Sequence, residues 1–182
     1  MKRLRLSRLL FLALCCDLGL FAKQLVAPVA NSITDALHIP GGIGTGFSLM
    51  FLAIACALTP HFGCGTLMSL TQSLIALALG RIGSMGILSP IGYVVPGFAM
   101  DCAFCLLRRR HVRIEDSMVP ANAVASACAA LAANLIVFRL WGAPLMLYLS
   151  VAATSGALCG LLGARMLPLV ARAIRAPRTD RD

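Results

Sequence analysis

The sequence predicts an all-α fold, an integral membrane bundle of six transmembrane helices with cytoplasmic N- and C-termini. Two observations lead there. Of the 182 residues, 59% are hydrophobic and 13% are charged, whereas a soluble domain carries about 25% charged residues. The apolar residues also fall into six stretches, each long enough to be interpreted as a span of about 20 residues. The predicted spans are 8–28, 45–60, 64–80, 87–107, 119–138 and 143–170.

The basic residues predict the topology of this membrane domain. The net charge is +9, and most Lys and Arg residues cluster at 2–8, 108–113 and 172–181, which lie on one side when there are six spans. By the positive-inside rule that side is the cytoplasm. Residues 1–175 are then one membrane domain and 176–182 a short cytoplasmic tail. The predicted location is a bacterial or archaeal plasma membrane, and the charge needs no nucleic-acid partner.

The N-terminal residues resemble a secretory signal, because a basic segment precedes a short apolar run. Leu14 stands where cleavage before Cys15 would require a small residue, so an uncleaved first span is expected. Of the eight cysteines, Cys102 and Cys105 form a C-x-x-C pair, but no second pair or histidine stands at zinc-site spacing. The cysteines are predicted to be packing residues, with no metal site and no disulfide framework.

Recognisable catalytic motifs are missing from the sequence. It contains neither H-E-x-x-H nor G-x-S-x-G, and it has too few carboxylates for paired acid–base chemistry. Residues 40–48, PGGIGTGFS, resemble a phosphate-binding loop, yet Phe47 occupies the position of the essential lysine. The sequence therefore predicts a protein that is not an enzyme, with no catalytic residues and no cofactor.

Polar and aromatic residues concentrate in the half of the bundle opposite to the basic clusters. This combination is typical of a small-molecule pocket. An aromatic belt at the membrane surface would also explain Tyr93 and Trp141, but it does not explain polar residues at membrane depth. The predicted substrate-binding residues are Gln72, Ser84, Tyr93, Asn134, Arg139 and Trp141.

Asp17, Lys23 and Asp101 lie inside predicted spans, where charge is costly. Asp17 and Lys23 are six residues apart, about 240° around a helix, so they cannot pair with each other. Lys23 either extends toward the outer interface or takes part in a ligand or ion-pair contact, and the sequence identifies no partner for Asp17. Asp101 is predicted to form a salt bridge or a helix-end hydrogen bond near the inner interface.

Small residues recur at four-residue spacing on several predicted helices, for example at Cys15 and Gly19 and at Gly156 and Gly160. Such spacing lets helix backbones approach closely. It predicts either packing inside the bundle or a docking face for another membrane subunit.

The chain's size, its six helices, its basic inner loops and its Gly/Pro-containing outer loops after helix one and before helix four resemble the substrate-binding S components of energy-coupling-factor vitamin transporters. The resemblance implies a membrane subunit that captures a vitamin-like molecule from outside. It delivers that molecule when joined to a transmembrane coupling subunit and two cytoplasmic ATPases.

In that family the first outer loop closes over the pocket and an Ala-x-x-x-Ala on helix one docks the coupling subunit. This sequence lacks the alanine pair, and Cys15 and Gly19 are the nearest small residues to it. The residues that the resemblance assigns to the gating loop are Asn31, Asp35, His38, Gly41, Gly42, Gly44 and Gly46.

Two other functions are compatible with the sequence. One is a self-sufficient secondary transporter or small channel that uses Asp17 and Lys23 as proton or ion sites. The other is an intramembrane enzyme or an assembly scaffold.

Overall fold

A computed structural model of the chain describes residues 6–37, 43–59, 61–80, 89–139 and 141–175. Six α-helices account for nearly all of them, which confirms the predicted all-α, six-helix fold. A π-helical turn, Asn134–Phe138, follows the fifth helix. The helices are α1 (Leu6–Leu37), α2 (Ile43–Leu58), α3 (Cys64–Ala78), α4 (Ser89–Arg109), α5 (Ile114–Ala133) and α6 (Ala143–Arg175).

Three of the helical segments are long and apolar enough to cross a membrane, namely Pro90–Arg109, Ile114–Ile136 and Ala143–Arg172. α2 and α3 are apolar but shorter. Large apolar side chains point outward along these helices, with Leu158 69% and Leu169 64% exposed. Extended exposed apolar surface of this kind is suited to contact with lipid.

Contacts between glycines and neighbouring helices show the helix directions. Gly156 of α6 lies against Ser126 of α5, and Gly160 lies against Met118. Positions that rise along α6 therefore meet positions that fall along α5, so these two helices are antiparallel. α2 and α6 run parallel, because Gly46 meets Gly156 whereas Met50 meets Gly163, further along both helices.

α2 lies at the centre of the bundle. Met50 and Leu52 are 1% exposed, and Ala53 and Ala55 are fully buried. A helix that is apolar on all its faces is expected to be buried on all of them. Its short length and high apolar content are therefore consistent with its central position.

The connection between α1 and α2 is shorter than the sequence predicted. α1 continues past residue 28, through Pro28 to Leu37, so Asn31 and Asp35 are helical rather than part of a loop. A membrane helix can continue through a proline. Residues 29–37 contain no further Gly or Pro that would end the helix. At the other end α2 already begins at Ile43.

This boundary places Gly44 and Gly46 in the first turn of α2 rather than in a loop. Gly46 is buried against Gly156 of α6, where a larger residue would separate the two helices. Three residues of the predicted gating loop, His38, Gly41 and Gly42, lie outside the described residues, as does the predicted tail at 176–182.

Candidate functional site

Four helices contribute to a small cavity around Lys23, which we call the Lys23 cavity. It has a volume of about 20 Å³. α1 and α2 supply most of its walls, α3 supplies a buried amide and α4 supplies an aromatic ring. The lining residues are Gly19, Leu20, Lys23, Thr45, Ser48, Leu49, Gln72, Gly92, Tyr93 and Pro96.

Lys23 is half-buried and contacts an aromatic ring. Its Nζ atom lies 4.0 Å from the centroid of the Tyr93 ring on α4. The negative face of an aromatic ring attracts a cation, and the attraction strengthens when water is excluded. Lys23 thus turns toward protein rather than only toward the membrane surface.

Gln72 supplies a buried polar group to the lining of the cavity. It is 7% exposed, and its Nε2 donates a hydrogen bond to the carbonyl of Cys16 at 3.1 Å. Gly19 makes room for this amide, because a Cβ at that position would lie 2.8 Å from Nε2. The contact joins α1 to α3 beside the cavity.

The first turn of α2 forms another side of the Lys23 cavity. α2 begins at Ile43, and Thr45 and Ser48 both line the space. Ser48 Oγ donates a hydrogen bond to the Thr45 carbonyl at 3.0 Å. Because the first N–H groups of a helix lack partners within the helix, its N-terminus carries partial positive charge.

The volume of the Lys23 cavity limits what it holds in this conformation. Space of about 20 Å³ is enough for roughly one water molecule, whereas small-molecule pockets measure about 300 to 1,000 Å³. In this conformation the cavity is therefore too small for a ligand of that size.

The structure brings only part of the predicted substrate site together. Gln72 and Tyr93 share the Lys23 cavity. Asn134, Arg139 and Trp141 do not line it, and Ser84 lies outside the described residues. Trp141 is 76% exposed, a position that agrees with the aromatic-belt alternative.

Asn134 marks a change of helix type rather than a wall of the Lys23 cavity. It begins the π-helical turn at the end of α5, and its Nδ2 donates to the Ala130 carbonyl at 2.8 Å. Its Oδ1 is buried without a hydrogen-bond partner among the described residues. The turn ends at Arg139, which is exposed and has a left-handed backbone with φ of 48°.

The small-residue pair of α1 is internal. Cys15 is 4% exposed, and Gly19 is buried beside Gln72 and the Ser48 carbonyl. Neither residue lies on the outer surface of α1 in this structure, which agrees with the alternative of packing inside the bundle. Close approach of α1 to α2 and α3 explains the spacing instead.

Asp17 lies on the opposite, exposed surface of α1. Leu14, Leu18 and Phe21 on the same surface are 58%, 41% and 59% exposed. Asp17 has no hydrogen bond or ion pair with any described residue. It points away from the Lys23 cavity.

Asp101 confirms the predicted helix-end hydrogen bond. Its Oδ1 accepts from the backbone N–H of Gly65 at 2.9 Å. Its Oδ2 accepts from the backbone N–H and the hydroxyl of Thr66 at 2.8 and 2.7 Å. The carboxylate of α4 thus satisfies the N-terminal donors of α3 and complements its dipole.

The sequence did not reveal the pairing of Lys23 with Tyr93 or the contribution of α2. The sequence did contain a signal for each feature. For Lys23 it was a lysine inside an apolar span, and for α2 it was the hydroxyl residues at a predicted helix start. Which helices face each other is a property of packing, so the sequence could not connect them.

The six helices and the three membrane-length segments define the class of the chain as a multi-pass membrane protein. Comparison with models of known protein families, with curated proteins and with solved structures gave no match. Among the described residues, no group of three or more His, Cys, Asp or Glu side chains is placed to hold a metal ion.

Proposed function

We propose that the chain is the substrate-specific membrane subunit of an ATP-driven importer of the energy-coupling-factor type. It binds a vitamin-like small molecule from the extracellular side and is not itself an enzyme. The observation that supports this most directly is the Lys23 cavity, in which four helices direct a cation, an amide and hydroxyl groups into one space. ATP hydrolysis belongs to two cytoplasmic partner subunits, reached through a transmembrane coupling subunit.

The proposed topology has six spans, cytoplasmic termini and the Lys23 cavity near the extracellular surface. The placement of basic residues supports it. Arg108 and Arg109 end α4 and Arg110 follows it, far along that helix from Tyr93. Lipid-exposed apolar side chains on α6 agree with insertion into a cell membrane.

The lining of the cavity favours a substrate with an anionic group. Lys23 is the one charged residue among the cavity-lining residues, and the N-terminus of α2 adds partial positive charge beside it. A carboxylate or phosphate is a stronger partner for the ammonium group than the Tyr93 ring. Substrate binding then replaces the Lys23–Tyr93 contact, and separation of α1 from α4 enlarges the cavity.

The connection between α1 and α2 is proposed to act as the gate. It joins two helices that both line the cavity, so its movement changes access to Lys23. Asn31 and Asp35 lie in the last turns of α1, and Gly44 and Gly46 in the first turn of α2. A displacement of the connection is proposed to move these helix ends and, with them, the residues of α1 and α2 that line the cavity.

The outer surface of α1 is proposed to contact the coupling subunit. Asp17 and its apolar neighbours occupy that surface, and a carboxylate at membrane depth is stabilised by a basic residue of a partner helix. This surface takes the place of the buried Cys15 and Gly19.

Ligand binding to the purified chain tests the proposal. Anionic vitamins are expected to raise the melting temperature of the wild-type protein. Lys23→Met removes the cation, and loss of a charged hydrogen bond, about 1.5 to 3 kcal/mol, should weaken affinity roughly tenfold or more. Trp141→Phe is the matched control, because this exposed side chain lies outside the cavity.

Equal affinity of Lys23→Met and Trp141→Phe for the ligand would rule out the Lys23 cavity as the binding site. Failure of every vitamin-like compound to stabilise the wild-type chain would contradict the capture function itself.

The secondary transporter has less support. Its two ionisable groups do not meet, because Asp17 faces outward and Lys23 contacts Tyr93. Proton-driven uptake by the chain alone in vesicles, abolished by Asp17→Asn, would support that function over the capture subunit.

A further inference from the structure

A second cavity lies at the end of the bundle where the turn between α2 and α3 meets the C-terminal part of α4. We call it the Arg109 cavity. Its volume is about 350 Å³, and its walls carry three basic side chains, His61, Arg108 and Arg109. Capture of a substrate at Lys23 makes no use of it.

The charges in the Arg109 cavity do not cancel locally. Asp101 is the one acidic residue of its lining, and both of its carboxylate oxygens accept hydrogen bonds from α3. Arg108 Nη2 donates to the Cys56 carbonyl at 2.9 Å, and the guanidinium lies 5.8 Å from the centroid of the Phe104 ring. These contacts hold Arg108 in place, and the other N–H groups of its guanidinium can still donate hydrogen bonds to a ligand.

Arg109 completes the basic wall. It is exposed, and it makes no hydrogen bond or ion pair with another described residue. Two guanidinium groups on adjacent positions offer planar N–H pairs, a geometry that matches the oxygens of a phosphate group. His61 lies across the cavity and supplies a further donor.

Apolar surface adjoins this basic wall. Phe62, which also lines the cavity, is 65% exposed. Leu106, three residues before Arg109 on α4, is outside the lining and 58% exposed. A ligand that is anionic at one end and apolar at the other fits both features. A soluble phosphate would use only the first of them.

We propose that the Arg109 cavity binds the phosphate group of an anionic phospholipid, with the acyl chains lying along the exposed residues of α4. The site does not depend on the proposed import function, because it lies at the other end of α4 from Tyr93. Each basic residue near an anionic membrane surface contributes about 1 kcal/mol, equivalent to a factor of about five in affinity.

Lipid titration followed by native mass spectrometry tests the site. The purified full chain is titrated with phosphatidylglycerol and, separately, with phosphatidylcholine. Arg109→Gln is compared with Arg110→Gln, a neighbouring exposed arginine that does not line the cavity. The expected result is preferential retention of phosphatidylglycerol, weakened about fivefold more by Arg109→Gln than by Arg110→Gln. Melting temperatures of both variants verify that they are folded.

Competition with inorganic phosphate distinguishes the two sources of the anion. Partial displacement of phosphatidylglycerol by phosphate is expected, because both would occupy the same guanidinium groups. Binding of phosphate with no preference for phosphatidylglycerol would overturn the lipid assignment. Equal weakening by Arg109→Gln and Arg110→Gln would overturn the site itself, since it would show only diffuse attraction between the basic end and the membrane.

Discussion

Asp101 holds the first turn of α3 through a carboxylate that several donors share. It is 4% exposed, and burying a charged group without hydrogen-bond partners costs several kcal/mol. Hydrogen bonds to a charged group contribute about 1.5 to 3 kcal/mol each. The donors of Gly65 and Thr66 therefore offset the cost of burying the carboxylate.

Asp101→Ala is expected to lower the stability of the protein substantially, because each buried donor left unpaired costs about 1 to 3 kcal/mol. Thermal unfolding in detergent measures the loss. Asp116→Ala is the control, since the ion pair of Asp116 with Arg113 joins side chains that are 55% and 81% exposed. Such a pair contributes at most about 1 kcal/mol. Similar losses in the two variants would argue against a capping role for Asp101.

The contrast between Lys23 and Asp17 also belongs to the residue scale. Both were anomalous in the sequence for the same reason, a charge inside an apolar span. Packing gave one of them an aromatic partner on α4 and left the other on the outer surface of α1. Their separation around α1 was predictable from helical geometry, but the partners were not.

At the scale of helices, α2, α5 and α6 meet closely around Asn122. This residue is fully buried, and its Nδ2 donates to the carbonyls of Gly46 at 3.1 Å and Gly156 at 2.8 Å. Glycine at both positions lets the backbones come within reach of the amide. The small-residue spacing of α6 is thus explained by internal packing.

Gly156→Ala is expected to destabilise the crossing of α5 and α6. Its Cβ would lie 2.7 Å from Ser126 Cβ and 2.8 Å from the Asn122 carbonyl, and overpacking of this kind costs about 1 to 3 kcal/mol. Gly163→Ala is the matched control on the same helix, because its Cβ would meet the flexible side chains of Met50 and Met118. The melting temperature of Gly156→Ala should be clearly the lower, and the reverse order would contradict this account of the crossing.

At the scale of the whole molecule, the two ends of the bundle differ in charge. Arg108, Arg109 and Arg110 stand at one end of α4, and the Lys23 cavity lies near the other end of that helix. Because transmembrane orientation follows the placement of Lys and Arg, this charge pattern is the basis for the proposed orientation of the protein in the membrane.

Reporter fusions test this sidedness in cells. A fluorescent protein fused after residue 182 is expected to fold in the cytoplasm, and an epitope inserted between 81 and 88 is expected to be accessible from outside. Replacement of the arginines at 108–110 by glutamine should reduce the orientation bias. Accessibility of the C-terminus from outside intact cells would contradict the topology.

Most of the helices were predictable from the sequence. Spans three and six begin where α3 and α6 begin, because a turn with Gly63 precedes one and Gly142 precedes the other. Both glycines have positive φ angles, which glycine adopts at little cost. The end of α1 was wrongly predicted, because the helix continues through Pro28 to Leu37, and a proline within a membrane helix does not always end it.

The composition and the positions of charge determined that this chain is an apolar helical bundle with one basic end, since burial in lipid and membrane orientation depend on sums over many residues. Only the tertiary structure decided which side chains meet. It paired Lys23 with Tyr93, buried Cys15 and Gly19, and separated Asn134, Arg139 and Trp141 from the cavity. The physical reason is that contacts between helices depend on how each helix is rotated and on the distance between helix axes. Residue spacing within a single helix specifies neither.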